Sequence, residues 1–450
     1  MPTPPLRGVR LSGSPPQSSA APDYAMKRLR IQLWSFYYAP EPMGIAPISA
    51  EWARAMRDRG HHVEVITAHP SYPRPVWGRA VRPYREVRNG IRVLRLPVRL
   101  GRNTTRQRLL GEATYAAGLG LASPTLSTPD VIVATSPSFP ALLPTMVNAR
   151  LRGVPWILWL QDILPEAASI TGLIEEGRLI QAAKRFEKAA YASAARIAVL
   201  SASFTENLRS KGVPEGKLER IYNPATRPVL TQPRATSLVE GHRVLTMGNV
   251  GLSQGLGPLV RAFEDSESVS RLGAHLLIAG DGVAAPEVRK EIRSDRVTLT
   301  GVVSSDRLEY ELRRAAVAVV SQRYEGAEFN VPSKLMNFMG YGLPVLASVR
   351  EDSEVARILR ECEGGWVTDS RDPEAFATRL ADVLLRPDEL SRRGEAGRRF
   401  ALENFRIERT ADVFEDLMLR VCSPTVSEPA KSAQLSSPRR GRSRADENER

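Results

Sequence analysis

Short apolar runs alternate with helical segments through most of the chain, and this alternation limits the possible folds more than any other feature. The predicted elements of the first half are strands at 29–36, 63–67, 130–135, 156–160 and 196–200 and helices at 45–59, 138–152, 175–192 and 202–211. Short buried strands separated by helices form a parallel sheet that is covered on both faces. The pattern therefore predicts an α/β domain with a doubly wound sheet.

The alternation breaks at Tyr222-Asn223-Pro224, gives way to a Pro- and Thr-rich stretch up to residue 240, and then restarts. The predicted elements of the second half are strands at 243–248, 274–280, 296–300, 316–321 and 344–348, with helices at 255–265, 305–314, 332–341 and throughout 373–419. A length of 450 residues suits two domains. We therefore expect two doubly wound parallel-sheet domains, at 28–222 and 223–400, with ligands in the cleft at the carboxyl ends of the strands.

The composition and the two ends of the chain indicate the compartment of the protein and the charge of its partners. Residues 1–27 and 423–450 are polar and are expected to be disordered tails, and translation could begin at Met26. We find no run of 18 apolar residues and no signal-peptide segment before Leu29. Cys362 and Cys422 offer neither a disulfide framework nor metal-ligand spacing, which favours a reducing compartment. The net charge of +13 predicts an acidic partner, either nucleic acid, anionic lipid or a phosphorylated substrate.

The stretch from 331 to 348 predicts a short helix followed directly by a buried strand. Pro332 and Ser333 suit the first turn of a helix, and Gly342 permits a left-handed stop. Lys334 then lies in the first turn, where its charge opposes the positive end of the helix dipole. A phosphate bound at the same end would compensate for that charge. Lys334 is therefore a candidate phosphate ligand, and the alternative is an exposed lysine on a surface helix.

Glycines and polar residues follow four successive predicted strands of the second domain. Such glycines allow a phosphate to approach the backbone and the next helix, although an ordinary β–α turn also favours glycine. Neither the dinucleotide spacing G-x-G-x-x-G nor a Walker A motif is present. The repetition favours a ligand site over coincidence. The segments are Gly248-Asn249-Val250-Gly251-Leu252-Ser253-Gln254-Gly255, Ala279-Gly280-Asp281-Gly282, Thr300-Gly301 and Arg323-Tyr324-Glu325-Gly326-Ala327-Glu328.

Two segments of the first domain carry further candidates. Pro40 and Pro42 exclude a helix locally. Gly44 follows them in sequence and brings backbone amides to the start of the next helix. Asp162 and Glu166 come just after the apolar run 156–160. A general base or an acceptor-binding group would lie at that strand end, and the alternative is that Asp162 caps a helix.

Together these features resemble the retaining GT-B glycosyltransferases of family 4, most closely those of colanic-acid-type exopolysaccharide biosynthesis. The likeness spans residues 28–420, and the order of its three segments is specific. The segments are Tyr37-Tyr38-Ala39-Pro40-Glu41-Pro42-Met43-Gly44-Ile45 with Arg59-Gly60-His61-His62-Val63-Glu64-Val65-Ile66-Thr67, then Gly248-Asn249 with Gln254-Gly255-Leu256, then Pro332-Ser333-Lys334-Leu335-Met336-Asn337 with Gly342-Leu343-Pro344-Val345.

The resemblance implies that the second domain binds a nucleotide sugar, with UDP or GDP as the nucleotide, and that a helix at 401–422 crosses back to the first domain. Gly251, Gln254 and Lys334 would face the diphosphate, and Asn337 falls where many relatives place a Glu that holds the ribose. Gly44 would approach the donor phosphates from the first domain, and Asp162 would lie on the acceptor side. The full set of donor-binding candidates is Gly44, Asn249, Gly251, Gln254, Gly255, Asp281, Arg323, Ser333, Lys334 and Asn337, and the catalytic candidates are Asp162, Glu325 and Glu328.

Two departures from the family pattern affect these assignments. Ser253 and Gln254 stand where the family usually has Arg and Lys, so the positive charge must come from Lys334 and Arg323. The usual pair of glutamates is also absent, since Phe329 lies eight positions before Asn337, and Glu325 or Glu328 would have to serve through a shifted loop.

The resemblance also implies how the reaction proceeds. The anomeric configuration would be retained, and no cofactor is expected beyond the nucleotide-sugar co-substrate. Backbone amides at helix ends and Lys334 would stabilise the charge that develops on the departing nucleotide diphosphate. No metal is expected if cationic side chains do this, and the sequence has no Asp-x-Asp triplet to hold one.

The stretch from Arg74 to Arg108 contains eleven arginines, no lysine and a single acidic residue, Glu86. A solvated strand and loop would explain it simply. Each basic residue near an anionic bilayer could, however, add about 1 kcal/mol of binding, and the resemblance implies an acceptor saccharide linked to a lipid diphosphate. We therefore expect a cytoplasmic protein held peripherally on the inner face of the plasma membrane through this surface.

Two other functions remain open from sequence. A nucleic-acid-binding protein could use the same arginines on phosphates, but no recognition motif is present and aromatic residues make up only 6% of the chain, so no nucleic-acid partner is expected. A GT-B sugar-nucleotide epimerase would need acid and base groups that we do not locate. A transferase, unlike an epimerase, turns over a nucleotide sugar only with an acceptor.

Overall fold

The computed structural model describes residues 27–42, 44–71, 80–99, 105–136, 138–162, 178–235, 241–325 and 331–423. Within these ranges the chain forms two sheets, of eight and six strands, and helices pack on both faces of each sheet. The predicted fold class, two doubly wound parallel-sheet domains, is confirmed.

The first sheet has the strand order β3-β4-β2-β1-β5-β6-β7-β8. Its strands are β1 (Arg30–Ser35), β2 (His62–Ala68), β3 (Tyr84–Arg88), β4 (Ile91–Leu96), β5 (Val131–Thr135), β6 (Trp156–Leu160), β7 (Arg196–Val199) and β8 (Leu218–Arg220). All neighbours run parallel except β3 and β4, which form an antiparallel hairpin at one edge. The central strands are buried along nearly their whole length, as the continuous apolar runs predict.

Helices cover both faces of this sheet. They are α1 (Ile45–Asp58), α2 (Thr105–Ala122), α3 (Leu142–Arg152), α4 (Arg178–Ser193) and α5 (Ala202–Ser210). Helices α2 to α5 share one core, which contains Tyr115, Leu142, Tyr191 and Phe204. Helix α1 packs on the opposite face, where Trp52 is fully buried.

The second sheet is entirely parallel, in the order β11-β10-β9-β12-β13-β14. Its strands are β9 (Arg243–Met247), β10 (His275–Ala279), β11 (Val297–Gly301), β12 (Val317–Ser321), β13 (Val345–Val349) and β14 (Gly365–Asp369). Its helices are α6 (Leu256–Asp265), α7 (Glu267–Arg271), α8 (Ala285–Glu291), α9 (Ser305–Arg314), α10 (Ser333–Gly340), α11 (Glu354–Cys362), α12 (Pro373–Leu384) and α13 (Pro387–Asn404). Strand order reverses between β9 and β12, so the crevice for a ligand lies at their carboxyl ends.

The last helix, α14 (Ile407–Cys422), packs against the first sheet. The ring of Phe414 lies 5.3 Å from that of Trp52 and 4.7 Å from that of Trp159, measured between centroids. His61 Nδ1 accepts a hydrogen bond from the backbone N–H of Leu29 at 3.1 Å, so its Nε2 carries the proton and donates to Glu415 at 2.9 Å. This buried histidine therefore connects β1 to the crossing helix.

Eight described strands and α-helices are absent from the prediction by alternation: strands β3, β4, β8 and β14 and helices α2, α7, α8 and α11. Strand β14 is only half-buried at the sheet edge, so it lacks a continuous apolar run. Helix α2 is apolar nearly all round and so has no amphipathic period for a sequence search to detect. Where the prediction did place elements, most of the observed bounds agree within two residues; helix α3 starts four residues later than predicted, and the start of α4 adjoins residues outside the described ranges.

Candidate active site

The loops after β9 and β10 pack directly on each other at the crevice. The N–H of Gly248 donates to the carbonyl of Ala279 at 2.9 Å, and the N–H of Val250 donates to the carbonyl of Asp281 at 2.9 Å. A Cβ at Gly280 would overlap the carbonyl of Gly248, and one at Gly282 would overlap that of Val250. Glycine is therefore required at 280 and 282 by contact between two backbones, which needs no bound phosphate to explain it.

The second half of the glycine loop contacts the end of β12. Gly255 has a φ of 60°, which is the left-handed conformation, and it precedes helix α6. The hydroxyl of Ser321 donates to the backbone carbonyl of Gln254, and the N–H of Arg323 donates to the carbonyl of Ser253 at 2.8 Å. These bonds fix the loop across the point at which strand order reverses, with Gln254 and Gly255 half-buried beside the crevice.

Lys334 is the buried cation of this site. Its side chain lies in the first turn of α10, only 7% of the residue is exposed, and its Nζ donates to Gln254 Oε1 at 2.6 Å. Burial lowers the pKa of Lys334 to about 8. Because the residue is buried, the alternative of an exposed surface lysine is wrong. Among the described residues no carboxylate pairs with Lys334, so a desolvated positive charge faces the glycine loop.

The start of α10 differs from the prediction in one respect. Pro332 is the N-cap and no side chain accepts from the amides of the first turn, so exposed Ser333 does not cap the helix as expected. At the other end, Gly342 has a φ of 69°, its N–H donates to the carbonyl of Met339, and the N–H of Leu343 donates to that of Phe338. This is a Schellman motif, and it confirms the predicted left-handed stop.

Asn337 is buried and its amide is engaged within the protein. Its Oδ1 accepts from the N–H of Arg227 at 3.1 Å, and its Nδ2 donates to the hydroxyl of Thr226 at 3.0 Å. Both partners belong to the segment that connects the two domains. In this arrangement the amide holds the connecting segment, which differs from the expected contact with a ribose.

The first-domain candidates lie at the carboxyl ends of their strands. Gly44 is exposed at the start of α1 with a φ of 56°, and an added Cβ would meet no atom within 4 Å. Asp162 is half-buried after β6, where its N–H and that of Gln161 both donate to the hydroxyl of Ser136. The helix-cap alternative for Asp162 concerns residues 163–166, which lie outside the described ranges.

The remaining candidates are arranged as follows. Asn249 is exposed on the packed loops, and a Cβ on Gly251 would come within 2.8 Å of its Nδ2. Asp281 is exposed and its Oδ1 accepts from the N–H of Gly282 at 2.8 Å. Arg323 and Glu325 are exposed in the turn after β12. Glu328 lies outside the described residues, so the structure does not place one of the three catalytic candidates.

One feature of the cleft was missed from sequence. The side-chain amides of Gln161 and Asn223 form a reciprocal pair, with Asn223 Nδ2 donating to Gln161 Oε1 at 2.8 Å and Gln161 Nε2 donating to Asn223 Oδ1 at 3.2 Å. This pair connects the end of β6 to the start of the connecting segment. The only sequence signal was that Asn223 interrupts the alternation.

The Arg-rich stretch is less available to a partner than its sequence indicates. Arg95 is buried, with 1% of its side chain exposed, and pairs with Glu86 at 2.8 Å. Arg88 also contacts Glu86, and Arg85 pairs with Glu64 at 3.2 Å. Half of the six arginines whose side chains are described are therefore paired with carboxylates of the protein itself, and buried Arg95 differs from the expectation of a solvated strand.

Two family models match the chain, one in each domain. The first, described as a glycosyl transferase 4-like domain, matches residues 43–224, and the second, described as glycosyl transferases group 1, matches residues 241–386. Together with the paired doubly wound sheets, these matches identify the protein as a glycosyltransferase with the GT-B fold.

Individual proteins agree with this class. A putative colanic acid biosynthesis glycosyl transferase, WcaI of Escherichia coli K12, is 24% identical over 379 residues, which cover 80% of this chain and 93% of the relative. The structure of sucrose-phosphate synthase from Thermosynechococcus elongatus superposes with a TM-score of 0.67 at 17% identity, covering 87% of this chain and 99% of that one. HepE from Anabaena, solved in complex with UDP and glucose, has a TM-score of 0.61 at 14% identity and covers 87% of this chain and 100% of its own.

Two features are absent from the described residues. No group of three or more His, Cys, Asp or Glu side chains among them is arranged to hold a metal ion. No helix in these ranges has both the length and the apolar character needed to cross a membrane.

Proposed function

We propose that the protein transfers a sugar from a UDP- or GDP-sugar to a lipid-linked saccharide during the biosynthesis of an exopolysaccharide or related cell-surface glycan, with retention of configuration. The supporting relatives are the putative colanic acid biosynthesis enzyme and the structure of HepE with UDP and glucose. The acceptor would bind on the first-domain side of the cleft, near Asp162, and the donor on the second-domain side.

The observation that carries this proposal is the buried charge of Lys334. Burying an ammonium group without a carboxylate is costly, and the cost is recovered when an anion binds beside it. Lys334 lies in the first turn of α10, where no side chain caps the amides and where the helix dipole also favours negative charge. A nucleoside diphosphate supplies an anion of the required kind.

The chemistry follows from where negative charge develops. As the bond from the anomeric carbon to the diphosphate oxygen breaks, the diphosphate gains charge, and Lys334 and the amides of α10 would stabilise it in a water-poor cleft. Arg323 is exposed in the adjacent turn and would add a second cation. We propose that these groups make a divalent metal unnecessary for the leaving group.

A nucleotide-binding experiment tests the proposal. Thermal unfolding would be measured with UDP, GDP, their sugars and an unrelated nucleotide, without and with Mg²⁺. A ligand at a hundred times its Kd should add about 2.7 kcal/mol of stability, and we expect this from one uridine or guanosine diphosphate without metal. The matched control for Lys334→Met is Lys188→Met, which removes an exposed lysine of the first domain.

Loss of the shift in Lys334→Met but not in Lys188→Met would support the donor site and identify the base. A shift with RNA or DNA and with no nucleotide diphosphate would contradict the proposal and favour the nucleic-acid alternative. Turnover of a nucleotide sugar without any acceptor, giving an epimer, would favour the epimerase.

A further inference from the structure

Helices α2 and α3 expose an apolar surface on the first domain. On α3, the exposed residues are Leu143, Val147, Arg150 and Leu151, so three of the four are large and apolar and they recur at intervals of four residues. A helix face in contact with water is normally polar. This face is therefore built to contact something other than water.

Helix α2 continues the same surface. Its described exposed residues beyond Gln107 are Leu109, Leu110, Ala113, Ala117, Gly120 and Leu121. Between 109 and 122 the helix has one charged residue, Glu112, which is half-buried. A helix that is apolar on nearly every side is ordinarily buried on every side, whereas here Leu121 is 82% exposed and Leu151, at the end of α3, is 81% exposed.

A groove runs along this surface from the edge of the cleft. It has a volume of about 620 Å³ and is lined by alanines of α2 and α4 together with Phe139, Pro140, Val147 and Phe186. Phe139 and Pro140 belong to the turn that follows the carboxyl end of β5, which is the cleft end of the sheet. The groove therefore opens beside the proposed acceptor side.

The exposed charged residues of α3 and α4 whose side chains are described are all basic. Lys184, Arg185 and Lys188 are exposed on α4, which packs beside α3, and Arg150 is exposed on α3 itself. The one acidic residue of α4, Glu187, is buried and pairs with Lys211 at 3.1 Å. A contiguous apolar patch with a basic rim is complementary to an anionic lipid surface, in which hydrocarbon lies beneath negative headgroups.

We propose that the face formed by α2, α3 and α4 is the membrane-docking surface of this protein, and that it binds an anionic bilayer with Leu121, Val147 and Leu151 entering the hydrocarbon boundary. This assigns membrane contact to a different surface from the Arg-rich hairpin β3–β4. A second copy of the chain is a poorer occupant, because a two-fold contact through this face would bring the two basic rims together.

The inference depends on the proposed function in one respect, which is that a lipid-linked acceptor would bring the cleft close to a bilayer. The test therefore measures binding and not turnover. The full chain would be sedimented with vesicles of phosphatidylcholine alone and with vesicles of equal parts phosphatidylcholine and phosphatidylglycerol. We expect binding to the anionic vesicles and little to the neutral ones.

Four variants separate the possible surfaces. Val147→Glu with Leu151→Glu should weaken binding to anionic vesicles at least about tenfold, since charges replace two inserted side chains. Lys184→Glu with Lys188→Glu should also weaken binding, and the difference from wild type should become smaller as the salt concentration is raised. The matched control, Val302→Glu with Leu385→Glu, adds the same charges at residues of the second domain that are 85% and 66% exposed, and should bind like wild type. Arg82→Glu with Arg92→Glu tests the hairpin and should change binding less than about threefold.

Three outcomes would overturn the inference. Wild-type protein could fail to bind anionic vesicles, or the hairpin variant could lose binding while the Val147/Leu151 variant keeps it. Alternatively, size-exclusion chromatography without lipid could show an oligomer that the Val147/Leu151 variant dissociates, which would assign the face to a second copy. The nucleotide-induced thermal shift of the same variants shows separately whether the donor site is intact.

Discussion

The carboxylate of Glu354, in the second domain, accepts a hydrogen bond of 2.9 Å from the hydroxyl of Ser203, in the first domain. The same carboxylate accepts from the backbone N–H groups of Ala202 and Ser203 at 3.3 Å, so it occupies the start of helix α5. Glu354 is itself the first residue of α11 and is fully buried. One residue thus joins the N-terminal ends of two helices across the domain boundary, and Arg357 extends the contact by pairing with Glu206 at 3.0 Å.

Glu354→Ala should destabilise the protein by about 2–4 kcal/mol, because it leaves a buried hydroxyl and two helix-start amides without an acceptor. Glu354→Gln keeps an acceptor and should lose less. Denaturant unfolding followed by the six tryptophans would measure both, with the exposed Glu351→Ala as control. If Glu354→Ala were as stable as Glu351→Ala, the contact would not contribute to the stability of the domain arrangement.

The packed glycine loops give a second prediction. Gly280→Ala should destabilise the protein by more than about 3 kcal/mol or prevent folding, because the new Cβ would overlap the carbonyl of Gly248 and neither backbone can move freely. Gly216→Ala is the matched control, since a Cβ there meets nothing within 4 Å and the residue is exposed. Thermal unfolding of the pair would measure the difference, and equal melting temperatures would show that the two loops are not in contact.

The fold was predictable from sequence because its signals are local. Runs such as Trp156–Leu160 are continuously apolar where a strand is buried on both faces, and the break at Tyr222-Asn223-Pro224 marks the change of domain. Helix α2 was missed for a physical reason. Its outward face is as apolar as its inward face, so the periodicity that identifies a surface helix is absent.

The candidate site was predictable only in part. The position of Lys334 in a first turn follows from the neighbouring Pro332 and Gly342, but its hydrogen-bond acceptor, Gln254, lies 80 residues away in sequence. The contacts of Asn337 with Thr226 and Arg227 span 111 and 110 residues. Such partners are set by how the connecting segment packs under α10, and no local pattern in one sequence contains that information.

The buried charge of Lys334 predicts how stability depends on pH. Its pKa is about 8 in the folded protein, against 10.5 for a lysine exposed to water as in the unfolded chain, so between these values the unfolded chain holds one proton more. Stability from this group is therefore fully present above pH 10.5 and is lost as the pH falls to about 8. At pH 7, Lys334→Met should raise the unfolding free energy of the nucleotide-free protein, by up to about 3 kcal/mol. The difference from wild type should shrink when both are measured at pH 9–10.

Thermal or denaturant unfolding at pH 7 and at pH 9–10 checks this prediction. For Lys188→Met, at an exposed position, the difference in stability from wild type should not change with pH. A less stable Lys334→Met at pH 7 would mean that the ammonium is already compensated within the protein. That outcome would remove the physical reason for placing the diphosphate here.

Gln254→Glu gives the sharpest test of the donor site. The new carboxylate would lie where Gln254 Oε1 now accepts from Lys334 Nζ at 2.6 Å, and it would form a buried ion pair. We expect the nucleotide-free protein to become more stable and the affinity for the diphosphate to fall at least about tenfold, because the internal anion competes with the ligand for the same charge. Gln254→Ala, which removes the acceptor without adding charge, should leave affinity closer to wild type. Isothermal titration with the preferred nucleoside diphosphate measures both variants, and equal losses in the two would indicate that the effect comes from removing Gln254 and not from competition for the charge of Lys334.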